Sequence, residues 1–194
     1  MSGNSIYLVL DLINDLVHAD GPNGGSPLGA QVRARNVLGN TARALEKARA
    51  AGVPVGYVRV GFSPDYRECP PNSPIFTHAR NNGLFKLGAW GTEIHPDVAP
   101  KESDADIVKH RVSPFYGTAL EPLLRAKGIT RIYFSGVSSV AVLQGAVRDA
   151  HDRDYECIII EDGCCSATAE DHQAAMQAIS RFAKIVSSAD VQFE

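Results

Sequence analysis

The chain has 194 residues, 44% of them hydrophobic and 21% charged, with a formal net charge of −3. That size and balance fit one globular domain able to bury a sizeable core, and they exclude a disordered chain. The mild acidity gives no electrostatic case for nucleic acid or an anionic membrane as partner, and the apolar runs fall far short of the ~20 residues that span a bilayer.

In chain order, residues 5–12 form a continuous apolar run broken only by Asp11, which reads as a buried strand. With no positive segment before it, this start does not read as a secretory leader. GPNGGSP (21–27) reads as a flexible turn. Residues 31–51 place Val32, Val37, Leu38, Ala42, Leu45 and Ala48 on one helical face and meet Gly52, a stop signal. A second strand follows at 54–60. Residues 61–103 carry six prolines and no clear periodicity, and read as a long loop acting as a lid or an interface. Beyond it lie strands at 106–109, 131–135, 156–161 and 184–187. Helical patterns occupy 117–127, 140–153 and 170–182, the last preceded by Thr168, a good N-cap. Strands alternating with helices predict an α/β, three-layer α-β-α sandwich around a doubly wound, six-stranded parallel sheet of Rossmann-like type, as one domain over 1–194.

In such a sheet ligands bind beyond the carboxyl ends of the strands. Asp11 ends the first strand, Lys109 the third, and residues 138–142 follow the fourth, so all three face one edge. An aspartate in apolar surroundings needs a partner, and a lysine across the cleft supplies one suited to proton transfer. Each residue alone has a bland reading, a turn cap for Asp11 and a solvated strand end for Lys109. Four cysteines (Cys69, Cys157, Cys164, Cys165) show neither zinc spacing nor a disulfide framework, as expected of a cytoplasmic protein with free thiols. The six histidines are scattered, and no metal or other cofactor is implied.

Four segments carry a resemblance. VLDLINDL keeps Asp11, Asn14 and Asp15 of a VxDxQNDF pattern but has Ile13 for its Gln. KHRVSPFYGT (109–118) resembles KxxxSAFxGT, GVSSVAVLQGAVRDA (136–150) resembles GVATNVCVxxTARDA without a gap, and EDGCCSATAEDH (161–172) resembles EDACAS…EDH. Together they resemble the isochorismatase-like hydrolase superfamily, also called the cysteine hydrolases, over nearly the whole chain. Many members hydrolyse amides with an Asp-Lys-Cys triad, and another branch cleaves vinyl ethers without the cysteine. The resemblance puts Asp11 and Lys109 in the catalytic pair and Val142 at the position of the nucleophilic Cys. Valine has no lone pair, so a thioester cannot form there.

What this implies is a hydrolase for a small amide or vinyl ether that works without covalent thioester chemistry. The competing expectation is a catalytically silent relative that holds a small ligand or a protein partner. Ser138, Ser139, Phe115, Tyr116 and Arg59 are candidates to bind substrate, with Tyr66, Arg67, Phe85, Leu87 and Trp90 as further suggestions. The metal site of nicotinamidase-like relatives is not expected, because VRVGFSPDYRE contains no histidine. Relatives also suggest a homodimer or homotetramer.

Overall fold

A computed structural model describes residues 4–194; Met1–Gly3, part of the segment read for a leader, lie outside them. The six strands are β1 (Ser5–Leu10), β2 (Val55–Val60), β3 (Ala105–Lys109), β4 (Arg131–Val137), β5 (Glu156–Cys165) and β6 (Lys184–Val186). They form one all-parallel sheet in the order β3-β2-β1-β4-β5-β6. β1 is buried at all six positions, because helices cover both of its faces.

Strand alternation sorts the core into two layers. Ile6, Leu8 and Leu10 face α5 (Leu120–Ala126), α6 (Gln144–His151) and α7 (Ala169–Ile179). Tyr7 and Val9 face α2 (Pro27–Ala34) and α3 (Val37–Ala50). The three-layer α-β-α sandwich is therefore present, and the strand order reverses between β1 and β4. That switch point is where a ligand crevice is expected.

Three local readings need correction. The helix expected over 31–51 is two helices, broken where Asn36 adopts a left-handed conformation at φ 51°. Asparagine tolerates that region better than most residues. The break lets Arg35 reach Glu161 (2.5 Å) and the Cys164 carbonyl (3.1 Å). β5 runs four residues further than expected, because a register shift after Phe134 lets Gly136 and Val137 pair with Cys164 and Cys165. The pattern expected to form a helix over 140–153 begins instead with a wide π-type turn, Ser139–Leu143, before α6.

Residues 61–103 are not structureless either. They contain α4 (Pro74–Asn81), opened by Pro74 at its first turn, and short 3₁₀ turns at Trp90–Thr92 and Pro96–Val98. The segment after β1 clamps this stretch in place. Asp15, buried in α1 (Asn14–Val17), accepts the Phe85 N–H at 2.7 Å, and the Asn14 side-chain amide donates to the Trp90 carbonyl at 2.9 Å. Ile13 bridges to Ile94, and the His95 N–H donates to the Leu12 carbonyl. Gly91 is required beside Asp15, since a Cβ there would lie 2.1 Å from its carboxylate. A third apolar cluster, with Ile13, Val60, Phe62, Phe76 and Phe85, fills the space beneath.

At the switch point β4 passes very close to the end of β1. Gly136 has φ 129°, and a Cβ would sit 2.0 Å from the Leu10 carbonyl oxygen. Gly136→Ala is therefore expected to cost about 3 kcal/mol or more, since both the backbone angle and the contact must change. Urea denaturation would show this as a lower midpoint with an unchanged slope. A loss below about 0.5 kcal/mol, the ordinary surface range, would contradict the account.

Candidate active site

Past the last residue of β1 the chain turns sharply. Asp11 takes a left-handed φ of 53°, with its N–H still donating to the Val58 carbonyl at 2.8 Å. The turn sends its carboxylate over the end of β2. One oxygen accepts the Val60 N–H at 2.7 Å and the other meets Lys109 Nζ at 2.9 Å. Lys109 is the last residue of β3, paired in register with Val60, and also donates to the Arg111 carbonyl at 3.2 Å. Both residues are buried, at 3% and 2% exposure. Burial pushes the Asp11 carboxyl above the usual carboxylate range, against the opposing pull of Lys109 and of the Val60 N–H. A proton on this group is therefore held more tightly than on an exposed aspartate.

Asp11 and Lys109 share the lining of a cavity of about 230 Å³ with Ser138, Ala141 and Val142 from the exit of β4. Its remaining walls are mainly apolar and come largely from the clamped segment, including Phe76, Ala79, Leu84 and Phe85. Val142 is buried at 2% exposure, and among the described residues no cysteine lines the cavity. All four thiols are buried elsewhere. Burial pushes those of Cys157 and Cys165 up to about 12 and that of Cys164 higher, so they stay protonated at neutral pH.

Ser139 opens the π-type turn but is fully buried and outside the cavity lining. Its hydroxyl meets His172 Nδ1 at 2.8 Å, His172 Nε2 meets Glu161 at 2.6 Å, and Glu161 meets Arg35. The His172 hydrogen bond, helped by Arg35, holds the Glu161 carboxyl below its usual range. Ser166 completes the support by accepting the Val140 N–H at 3.3 Å. These contacts fix the turn that presents Ser138, Ala141 and Val142 to the cavity. The sequence offered EDGCCSATAEDH as a matching segment, but nothing in its spacing foretold that Glu161 and His172 would buttress this turn.

The structure thus brings Asp11, Lys109, Ser138 and Val142 together and places the other candidates elsewhere. Arg59 pairs with Asp106 on β3 through two contacts at 2.7 and 2.6 Å, outside the cavity. Phe115 is a core residue, stacked near Tyr155 at 6.2 Å with Arg153 over its ring at 4.9 Å. Tyr116 is exposed and sits near Arg111 on a different groove. Ile13 lies beneath the clamp rather than in the cleft. Of the further suggestions, Phe85 lines the cavity, whereas Tyr66, Arg67, Leu87 and Trp90 do not. Tyr66 donates instead to the Leu84 carbonyl, and Arg67 pairs with Asp65. Among the described residues no group of three His, Cys, Asp or Glu side chains is arranged to hold a metal ion.

Comparison with known proteins agrees with this architecture. The chain is 32% identical over 159 residues to the ureidoacrylate amidohydrolase RutB of Methylobacterium radiotolerans, covering 75% of this chain and 62% of that relative. It therefore spans less than two thirds of that protein. It is 30% identical to YecD of Escherichia coli O157:H7, an uncharacterized isochorismatase family protein, over 95% of this chain and 92% of the relative. The crystal structure of an isochorismatase family protein from Desulfovibrio vulgaris superposes with a TM-score of 0.84 at 24% identity, covering 96% of this chain and 95% of that one. A model of the isochorismatase domain matches residues 5–190, and the chain belongs to the isochorismatase family.

Proposed function

We propose that this protein hydrolyses the C–N bond of a small amide without a covalent enzyme intermediate, using Asp11 and Lys109 for proton transfer and water as the nucleophile. The observation that carries this reading is a buried carboxylate–lysine pair opening on a cavity that has Val142, and no thiol, in its lining. The amidohydrolase activity named for the RutB relative supports the choice of an amide.

In this reading Asp11 removes a proton from a bound water as its oxygen attacks the amide carbon. The C–N bond then breaks, and the same proton passes to the departing nitrogen, leaving a carboxylic acid and an amine or ammonia. Lys109 has three N–H donors, of which two are engaged by Asp11 and the Arg111 carbonyl. The third is free to hold the substrate carbonyl oxygen and to stabilise the charge that develops on it. Val142 and Ser139 take no part in bond making. The cleavage of a vinyl ether would use Asp11 in the opposite sense, as a proton donor to carbon. Val142 in the wall also suits a silent relative that binds without reacting, and that reading is adopted if a broad amide and vinyl-ether panel shows binding without turnover.

The two catalytic roles of Asp11 differ in sign with pH. Amide hydrolysis needs the carboxylate, so kcat/KM is expected to fall as pH drops through the Asp11 pKa. That fall should begin at milder acidity than the ~3.9 of an ordinary aspartate would give. Loss of activity on the alkaline side of that pKa would assign the acid role instead. Asp11→Asn is expected to lower kcat by roughly 10²–10⁴-fold in ammonia-release assays. An unchanged rate ends the proposal.

Thiol alkylation gives a separate check on the covalent step. Because all four cysteines are buried and outside the cavity lining, iodoacetamide is expected to leave turnover intact. Complete inactivation with one equivalent incorporated, blocked by substrate, would show that a thiol does the chemistry.

A further inference from the structure

We infer that the cavity selects an uncharged amide with a short, branched aliphatic or phenyl body, and excludes anionic amides such as ureido acids. The inference rests on the reading of this pocket as a hydrolytic site, and it departs from the substrate that the name of the RutB relative indicates. Ureidoacrylate carries a carboxylate.

The argument is one of charge accounting inside the cavity. Among the described residues its lining holds one carboxylate, Asp11, and one lysine, Lys109, already paired with each other at 2.9 Å. The other ionisable side chain in the lining is His78, which is exposed and in contact with Asn82. The two arginines that the sequence offered for a substrate carboxylate, and Arg111 of the neighbouring groove, are bound elsewhere. Arg59 is held by Asp106 and Arg67 by Asp65, while Arg111 donates to the Glu68 and His110 carbonyls. None of the three lines the cavity.

An anion entering this space would lose its hydration with no free cation to replace it, and would face the Asp11 carboxylate as well. A carboxamide meets the opposite situation. Its oxygen accepts the free Lys109 N–H, its N–H₂ donates to Asp11, and the rest of the molecule lies against Val60, Phe76, Leu84, Phe85, Val112 and Val142. Size adds a second filter. A cavity of about 230 Å³ lies below the ~300 Å³ at which ordinary ligand pockets begin.

The test compares 3-methylbutanamide with succinamate, a linear amide of similar size that ends in a carboxylate. Binding to the wild-type protein is measured by ligand-observed NMR titration, and turnover separately by ammonia release. The neutral amide is expected to bind at least ~10-fold more tightly, because the anion pays for its desolvation without compensation. Leu84→Arg, which places a guanidinium in the wall, is expected to narrow or reverse the preference. Equal or tighter binding of succinamate to the wild type, or no binding of 3-methylbutanamide, overturns the inference. The two readings separate cleanly. Preferred binding of the neutral amide without ammonia release keeps the ligand class and ends the hydrolase reading. Ammonia release from succinamate in preference keeps the hydrolase and ends the claim of neutrality.

Discussion

Taking a carboxylate and an ammonium out of water together is the constraint around which this molecule is arranged. Each charge alone would cost several kcal/mol to bury, and their mutual attraction offsets that only when geometry and additional hydrogen bonds are good. Here the additional bonds come from the sheet itself. Asp11 belongs to the end of β1 and Lys109 to the end of β3, with β2 between them. The carboxylate spans that gap by accepting the Val60 N–H on one oxygen and Lys109 on the other. The left-handed turn at Asp11 is what aims it there, a strained angle kept where the surroundings define it. The strand order β3-β2-β1 and the buried ion pair are thus one structural fact seen at two scales.

The same stretch of chain builds the pocket around the pair. Asn14 and Asp15 lie within four residues of Asp11 and spend their polar groups on the Trp90 carbonyl and the Phe85 N–H. Their work is architectural. They hold the 61–103 segment against the sheet edge so that Phe76, Leu84 and Phe85 stand opposite the ion pair. On the other side, Ser139, His172, Glu161 and Arg35 hold the π-type turn that delivers Val142. Two buried polar systems therefore support a cavity whose own walls are apolar. Burial of both groups leaves the Asp11–Lys109 interaction stronger than it would be at a surface.

What the sequence revealed and what it hid follow from the same physics. Strands covered on both faces read as unbroken apolar runs, the partly exposed edge strands β3 and β6 kept short apolar stretches, and the common direction of all six put Asp11, Lys109, Ser138 and Val142 on one edge. The failures are local. A helix split by one left-handed residue keeps nearly the same apolar periodicity, so Asn36 was its only mark. α4 has eight residues and a proline start, too short for periodicity to speak. Arg59 was misplaced because alternation along β2 sends it to the face occupied by Tyr57, where Asp106 was waiting. Phe115 and Tyr116 follow Lys109 closely in sequence, but the chain leaves the cleft before reaching them. One enters the core beside Tyr155 and the other goes to the surface.

The consequence of Val142 reaches beyond the loss of one atom. In a cavity with a thiol, the carboxylate has a neighbour to deprotonate and the nucleophile is fixed in place. With valine in the wall, the proposed hydrolysis uses an attacking group that is mobile and enters with the substrate. Among the described residues no thiol lines the cavity, and burial keeps those of Cys157, Cys164 and Cys165 protonated. Ser139 does not supply the attacking group either, because its hydroxyl is committed to His172 on the far side of the turn. On the proposed reading water is the nucleophile, and an apolar wall is a poor host for it. Asp11, Lys109 and Ser138, at the strand ends, would hold both that water and an amide head, with Asn23 and His78 the other polar members of the lining. Substrate and water would then share these few polar side chains, which favours a ligand that asks little of them: a single uncharged amide on an apolar body.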